Sequence, residues 1–139
     1  MRILFDTNIL LDALLAREAF VADAAPLLKA VEAGTIEGFM SATTITDVHY
    51  LVGRQTRNEA TAMTAITQLL ALMEICAVDR SVLEQAIALE LPDFEDAVQI
   101  ACAMSLGLDA IVTRDILGFV GSPIPVLPPV ILRQQLEGL

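Results

Sequence analysis

Residues 2–12 read RILFDTNILLD, and this stretch sets the fold. The apolar run before Asp6 is typical of a buried strand, and the residues after it have the apolar spacing of a helix. Asp6, Thr7 and Asn8 stand at the junction, where each is a good helix cap. Capping and a functional role are compatible, because Thr7 or Asn8 can cap the helix while the Asp6 carboxylate points to the edge of a sheet.

The strand-then-helix order recurs along the chain, with no internal repeat, linker or low-complexity segment. Alternating strands and helices predict a mainly parallel central sheet covered on both faces, which is a three-layer α/β/α sandwich. The length of 139 residues fits a single domain, residues 1–139. We predict strands at residues 1–5, 36–41, 75–78, 110–113 and 125–127. We predict helices at residues 8–15, 22–33, 59–73, 81–90, 92–106 and 129–136, and one that begins at Ser41 or Thr43 and is broken by residues 53–58.

Four acidic residues stand where predicted strands or helices begin or end. Asp6 and Asp115 close apolar strands, and Asp47 and Asp96 lie in the opening turns of helices. Because ligands of such sheets bind beyond the carboxyl ends of the strands, we expect Asp6 and Asp115 at the binding edge. Buried carboxylates need a compensating positive charge, and hard divalent cations prefer oxygen ligands. The four acids therefore predict a Mg²⁺ or Mn²⁺ site, if the fold brings them together.

Each of these residues also has a purely structural interpretation. Asp47 could lie on a solvated helix face, and Asp115 could belong to an ordinary turn. Asp93 is the expected N-cap of its helix, and acidic residues in a first turn gain roughly 0.3–1 kcal/mol from the helix dipole. Asp96 precedes an apolar stripe and is the better candidate to face inward. Thr113 could donate a hydrogen bond to a neighbouring carboxylate or to a water on a metal.

The composition is apolar, with 55% hydrophobic residues and a mean hydropathy of +0.65. We nevertheless expect no membrane span, because the longest uncharged stretch, residues 116–132, holds four prolines and two glycines. The first apolar run ends at Asp6, which is too short for a secretory signal. Cys76 and Cys102 lack metal-ligand spacing and lie in apolar surroundings, as expected for buried thiols in a reducing cytoplasm.

Other motifs that would assign a function are absent. The sequence has no P-loop, no G-x-G-x-x-G, no C-x-x-C and no G-x-S-x-G, which removes most nucleotide-binding and hydrolase classes. His49 is the only histidine, and we expect it on a helix surface. The net charge of −10 argues against general binding to nucleic acid, so any contact with a polyanion must be local.

Taken together, the motifs resemble the PIN domain, the nuclease fold of the toxin in VapBC toxin–antitoxin pairs. DTNILLD, from Asp6 onward, resembles the family's opening motif, and SATTITDVHYL at residues 41–51 resembles its second acidic helix. DFEDAVQIACAMSLGLDAIVTRD at residues 93–115 matches the third and fourth motifs in order and spacing, and SPIPVLPP at residues 122–129 resembles the end of a prokaryotic PIN subgroup. The resemblance covers nearly the whole chain.

This resemblance implies a metal-dependent endoribonuclease that hydrolyses RNA phosphodiester bonds with Mg²⁺ or Mn²⁺. It also implies an antitoxin protein as partner and a role as the toxin of a VapBC-type pair. Two departures matter: the second acid, often Glu in the family, is Asp47 here, and Gly118 stands where many relatives carry a further acid. The implied catalytic and metal-binding residues are Asp6, Asp47, Asp96 and Asp115, with Thr7, Asn8, Asp93 and Thr113 as second-tier candidates.

Few basic residues are available to bind RNA, since the chain has one lysine and seven arginines. The candidates for RNA-backbone contacts are Arg17, Arg54, Arg57 and Arg114, which flank the acidic motifs or the adjoining loop. The predicted helix at residues 59–73 is apolar nearly all round, which favours a homodimer.

The sequence is also compatible with two other classes of protein. One is a catalytically inactive PIN-like module that binds RNA or protein, which the negative charge favours and the four acids oppose. The other is a phosphatase or phospho-receiver on a similar sheet. Such a phosphatase would require an aspartate at the position of Asn8, and a receiver would require a late lysine, whereas the only lysine is Lys29.

Overall fold

A computed structural model of the protein describes residues 1–138, which form a three-layer α/β/α sandwich, as predicted. A parallel sheet has the strand order β3-β2-β1-β4-β5. The strands are β1 (Arg2–Phe5), β2 (Glu37–Ser41), β3 (Glu74–Cys76), β4 (Ala110–Val112) and β5 (Val126–Leu127). The helices are α1 (Thr7–Leu14), α2 (Val21–Glu32), α3 (Ala42–Thr56), α4 (Glu59–Leu72), α5 (Arg80–Ala88), α6 (Phe94–Leu106) and α7 (Pro129–Glu137), with a short 3₁₀ helix at Ile116–Phe119.

The strand order creates a crevice beside the central strand β1. The chain adds β2 and β3 on one side of β1 and then returns to place β4 and β5 on the other side. The carboxyl ends of β1 and β4 are therefore neighbours at the point where the strand order reverses, which is where open α/β sheets bind ligands. The backbone N–H of Asp6 donates to the carbonyl of Val112 over 3.0 Å, so the pairing continues to the first candidate residue.

The core divides into two layers because successive strand residues point to opposite faces of the sheet. Ile3 and Phe5 pack into a buried cluster with α1, α2, α3, α4 and α7. Leu4 points the other way, into a cluster with α5 and α6 that also contains Cys76 and Cys102. Both cysteines are free and buried, as the sequence indicated.

Several helices begin at a residue whose side chain caps the first turn. The Ser41 hydroxyl accepts from the backbone N–H of Thr43 over 3.3 Å at the start of α3. The Asn58 side chain accepts from Thr61 at the start of α4, and Asp93 accepts from Asp96 at the start of α6, each over 3.1 Å.

The predicted break of α3 at residues 53–58 is wrong over its first part. The helix continues through Gly53 to Thr56 and ends only at Arg57, which has a left-handed φ of 54°. One internal glycine costs a helix about 1 kcal/mol, and burial of Val48 and Val52 against the core outweighs it. The 3₁₀ helix at Ile116–Phe119 was not predicted. Within residues 1–138, no helix combines the length and the apolar character needed to cross a membrane.

Candidate active site

Asp6 lies at the carboxyl end of β1 and is 6% exposed. One carboxylate oxygen, Oδ1, accepts a hydrogen bond from Gln99 Nε2 over 2.9 Å, and Oδ2 accepts from Thr113 Oγ1 over 2.7 Å. The Thr113 hydroxyl in turn accepts from the backbone N–H of Asp115 over 3.0 Å. These bonds fix the orientation of the Asp6 carboxylate and connect β1, α6 and the segment after β4.

A polar pocket of about 410 Å³ opens at this edge of the sheet. All four acids that the sequence singled out line it, so the fold brings them to one place. Three of the second-tier candidates line it as well, whereas Thr113 lies behind Asp6 and is fully buried. The pocket is lined by Asp6, Thr7, Asn8, Asp47, Tyr50, Leu51, Asp93, Glu95, Asp96, Gln99 and Asp115.

Gly118 allows two of the acids to approach each other. A Cβ atom at this position would lie 2.5 Å from Asp115 Oδ2 and 2.7 Å from Asp96 Oδ2. Both carboxylate oxygens therefore occupy the space that a side chain at position 118 would fill. The Gly118 N–H also donates to Asp115 Oδ1 over 3.2 Å, so the 3₁₀ helix holds the Asp115 carboxylate in place.

The pKa of Asp96 is raised to about 7, mainly by burial. Negative charges on Asp93, Asp6 and Asp115 raise it further. Burial and like charges both disfavour the ionised form, and a cation in the pocket would act in the opposite direction. A bound cation would therefore stabilise the ionised form of Asp96.

Asp47 and Glu95 form a second acidic pair across the pocket, between α3 and α6. A hydrogen bond to Asp47 is the largest cause of a rise in the pKa of Glu95 to about 7, followed by burial and by the charges of Asp47, Asp93 and Asp96. A hydrogen bond between two carboxyl groups requires a shared proton. The contact with Asp47 therefore favours the protonated form of Glu95.

The donor groups fit a hard divalent cation. The lining groups that could act as ligands are carboxylate, amide and hydroxyl oxygens, which suit Mg²⁺ and Mn²⁺. Gln99 Oε1 is buried and has no hydrogen-bond partner within residues 1–138, so it is an oxygen without a donor.

The acidic side chains do not by themselves complete the coordination of a bare ion. Within residues 1–138, no three Asp, Glu, His or Cys side chains are grouped closely enough to hold one ion. Mg²⁺ usually keeps several waters and takes only one or two carboxylates directly, so the pocket fits a hydrated ion.

The opening residues of α1 connect the pocket to α3. The hydroxyls of Thr7 and Thr44 lie 3.0 Å apart and share a hydrogen bond. This contact ties α1 to the first turns of α3, which carries Asp47. Asn8 accepts from Arg17 Nη1 over 3.3 Å at the pocket margin.

Two of the four arginines predicted to contact RNA are held by a buried acid, Asp12. Its side chain is 0% exposed and accepts from Arg114 Nε over 2.6 Å and from Arg114 Nη2 over 3.2 Å. Arg17 Nη1 pairs with the same carboxylate over 3.2 Å, and the Arg114 guanidinium lies 3.7 Å from the centre of the Phe20 ring. These pairs brace the segment that carries Asp115, and contact of Arg17 or Arg114 with RNA stays a prediction.

The other two arginines are exposed beside the acidic pocket. Arg54 and Arg57 line a neighbouring depression of about 350 Å³, together with His49, Tyr50 and Glu59. Tyr50 lines both depressions.

The fold and the pocket define an α/β protein with an acidic site at the reversal of strand order. A sequence model of the PIN domain matches residues 2–117, and the chain belongs to the PIN domain family. No curated protein matches the sequence at a significant level.

Solved structures of similar fold confirm the architecture. VapBC2 from Rickettsia felis, bound to a DNA fragment from its promoter, matches with a TM-score of 0.73 and 15% identity over 92% of this chain and 98% of the other. FitAcB from Neisseria gonorrhoeae matches with a TM-score of 0.70 and 20% identity over 92% and 98%. A toxin–antitoxin complex from Klebsiella pneumoniae matches with a TM-score of 0.67 and 26% identity over 91% and 96%.

Sequence reasoning missed four residues that shape this region. Gln99 and Tyr50 follow Asp96 and Asp47 by three residues, which places each near its acid on the same helix face. Glu95 lies beside Asp96 in the acidic first turn of α6 and was not singled out. Asp12 was read as part of the opening motif, and no signal in a single sequence identifies Arg114 as its partner.

Proposed function

We propose that this PIN domain is a Mg²⁺- or Mn²⁺-dependent endoribonuclease. The observation that carries the proposal is that Asp6, Asp47, Asp96 and Asp115 line one pocket at the carboxyl ends of β1 and β4. A cluster of acids is costly to assemble without a compensating cation. The unpartnered Gln99 Oε1 and the raised pKa of Asp96 support the same conclusion.

The four acids of the pocket have two different proposed roles. Asp6 is oriented by Gln99 and Thr113, and the carboxylates of Asp96 and Asp115 approach each other beside Gly118. We assign these three carboxylates to a hydrated divalent ion, which one or two of them contact directly and the rest through its waters. A bound ion would lower the pKa of a water and stabilise the charge that develops on the leaving oxygen.

The fourth acid has a different environment. Asp47 lies within hydrogen-bonding reach of Glu95. The Asp47 side chain is one methylene shorter than the glutamate frequent in the family, which suits contact with the ion through a water. We therefore assign Asp47 to orienting water at the pocket rather than to holding the ion.

The test is the metal dependence of cutting by the purified protein. We expect endonucleolytic cleavage of a labelled RNA in Mg²⁺ or Mn²⁺ and no cleavage in EDTA. Cleavage should return when the metal is restored in excess over the chelator. Protein that binds RNA but never cuts it would support the alternative, a catalytically inactive PIN-like module.

We also propose that the chain is the toxin of a VapBC-type pair in a reducing cytoplasm, with an antitoxin protein as partner. The support is that structures of similar fold come from VapBC and FitAB toxin–antitoxin complexes. The neighbouring reading frame tests this proposal. A small gene next to this one, whose product binds the protein and stops cutting, is expected, and its absence would contradict the pairing.

A homodimer is the proposed assembly. Met63 and Leu70 on α4 are 48% and 52% exposed, and they lie seven residues apart on one helix face. Large apolar side chains in such a row favour burial against a second copy of the chain.

A further inference from the structure

One face of α3, together with its C-cap, carries an acidic side chain, an aromatic side chain and two cationic side chains in a row. Asp47, Tyr50 and Arg54 follow each other at spacings of three and four residues, so they lie on one side of the helix. Arg57 follows at the C-cap and lines the same depression as Tyr50 and Arg54. At a rise of 1.5 Å per residue, the row is about 15 Å long. It begins with an acid of the candidate active site and ends with two cations.

Tyr50 connects the two ends of this row. Its side chain is 60% exposed, although it lines both the acidic pocket and the neighbouring depression. An aromatic ring left open to solvent between an acidic and a cationic site can stack with a flat apolar ligand group. The position suits a ligand that runs from one site to the other.

Four of the five arginines other than Arg54 and Arg57 make ion pairs, and the guanidinium of the fifth, Arg2, donates to the carbonyl of Leu106 over 2.9 Å. Arg17 and Arg114 pair with Asp12, Arg80 pairs with Glu84, and Arg133 pairs with Asp23 and Glu137. Within residues 1–138, neither Arg54 nor Arg57 makes an ion pair, although Glu59 lines the same depression. In a chain of net charge −10, two unpaired cations beside the acidic pocket are available for an anion.

The backbone at Arg57 does not itself favour an arginine. Arg57 caps α3 with a φ of 54°, in the left-handed region where glycine is the usual residue. A side chain in that conformation costs roughly 1 kcal/mol. Attraction to the C-terminal dipole of α3 would account for Arg54, which lies in the last turn, but not for the exposure of Tyr50.

We propose that this row is a binding track for single-stranded RNA, in which Tyr50 stacks on an unpaired base and Arg54 and Arg57 bind the adjoining phosphates. The inference rests on the proposed function, because it takes the acidic pocket as the place where the strand is cut. Stacking needs a base that is free of its pairing partner, so the track selects single strands over duplexes. Phosphate contacts add affinity that does not depend on sequence.

The composition provides a direct probe of this contact. Tyr50 is the only tyrosine, and the chain has no tryptophan, so the intrinsic tyrosine emission reports on this one side chain. The experiment titrates the Asp6→Asn protein, in Mg²⁺, with a short single-stranded oligoribonucleotide and follows both tyrosine emission and anisotropy of a dye on the RNA. Quenching that saturates together with the anisotropy is expected, and a duplex of the same sequence should bind more weakly and quench less.

Variants separate the two parts of the track. Tyr50→Ala should weaken binding roughly 5- to 150-fold, which corresponds to one stacked base, whereas Tyr50→Phe should bind nearly as well as the parent. Arg54→Gln should weaken binding and reduce its dependence on salt, whereas Lys29→Gln, an equal loss of charge on α2, should change neither. Arg57→Gly should weaken binding while the melting temperature stays the same or rises, because glycine suits the left-handed cap.

The outcomes test the binding track separately from the proposed nuclease activity. RNA that binds or is cut without quenching of Tyr50, or with equal affinity for Tyr50→Ala, would overturn the track and leave the nuclease proposal standing. Protein that neither binds nor cuts RNA would refute both. Loss of antitoxin binding in Tyr50→Ala, with RNA binding unchanged, would assign this face to a protein partner and contradict the proposal.

Discussion

At the scale of single residues, the acids of the pocket differ in what surrounds them. Asp6 receives two hydrogen bonds, from Gln99 and Thr113, and these hold its orientation. Asp96 instead has a pKa raised to about 7, first by burial and then by the negative charges of Asp93, Asp6 and Asp115. Hydrogen-bond donors therefore position the Asp6 carboxylate, whereas a bound cation would stabilise the ionised form of Asp96.

The raised pKa values of Asp96 and Glu95, both about 7, predict how the metal-free protein responds to pH. Between the ordinary carboxyl pKa of about 4 and a pKa of about 7, the folded state binds more protons than the unfolded state. Stability therefore falls as pH rises through this window. We expect the melting temperature of chelated protein to decrease from about pH 5 to about pH 8 relative to Asp96→Asn, which lacks one of these groups.

Divalent metal should reverse this trend. Because the ion binds the ionised carboxylates of the native state only, the rise in melting temperature on adding Mg²⁺ or Mn²⁺ should be larger at about pH 8 than at about pH 6. Thermal denaturation with and without chelator measures it. A metal effect that is equal at both pH values, or absent, would argue against the assignment of Asp96.

The buried Asp12 predicts a large loss of stability on substitution. Asp12→Asn would leave Arg17 and Arg114 without their carboxylate in a largely enclosed site, and breaking such pairs costs about 3 kcal/mol. Glu84→Gln removes the acid of an exposed pair with Arg80 and should cost less than about 1 kcal/mol. Urea denaturation compares the two, and equal small effects would contradict the bracing role of Asp12.

At the scale of helices and strands, sequence patterns located most elements but not their packing. The caps Ser41, Asn58 and Asp93 were predictable because each residue type satisfies free N–H groups at a helix start. The continuation of α3 through Gly53 was not predictable, since it depends on burial of the helix against the core. The 3₁₀ helix at Ile116–Phe119 was also missed, because its sequence has no periodic apolar signal.

Two glycines in different elements should respond oppositely to alanine. Gly53 lies in α3, and a Cβ atom there would make an ordinary contact of 3.6 Å with Ala62, so Gly53→Ala should stabilise the protein by about 0.5–1 kcal/mol. Gly38 lies in β2, and a Cβ atom would come within 2.9 Å of Val31 Cγ2 and 2.7 Å of Met73 Sδ. Gly38→Ala should therefore destabilise it by about 1–3 kcal/mol, which urea denaturation can measure. The same sign for both variants would contradict the packing of α2 and α4 described above.

At the scale of the whole molecule, the order of parallel strands determines where function can lie. The reversal of strand order between β1 and β4 creates the crevice, and the acids of the four motifs reach it from β1, α3, α6 and the segment after β4. The sequence predicted these acids because motif order and spacing carry that information. It could not predict the contacts of Gln99, Tyr50 or Asp12 with their surroundings, which arise only when distant segments pack together.

The exposed apolar row on α4 predicts self-association. We expect a homodimer by light scattering at micromolar concentration, and Met63→Glu with Leu70→Glu should shift it to monomer because charge replaces buried apolar surface. Ile87→Glu is the matched control, since Ile87 is 65% exposed on α5 in the opposite layer. A monomeric parent protein, or a dimer that survives the α4 substitutions, would rule out this interface.

The proposed function assigns RNA cleavage to the acids of this pocket together with a divalent metal. The most direct measurement compares the rate of RNA cleavage in Mn²⁺ by Asp96→Asn and by Asp79→Asn. Both replace an aspartate at a helix start by its amide, but Asp79 caps α5 outside the pocket, where asparagine caps equally well. We predict a fall of at least roughly 10²-fold for Asp96→Asn and nearly full activity for Asp79→Asn, with no cleavage by any form in EDTA. Equal rates for the two variants, or cleavage that persists in EDTA, would contradict this assignment.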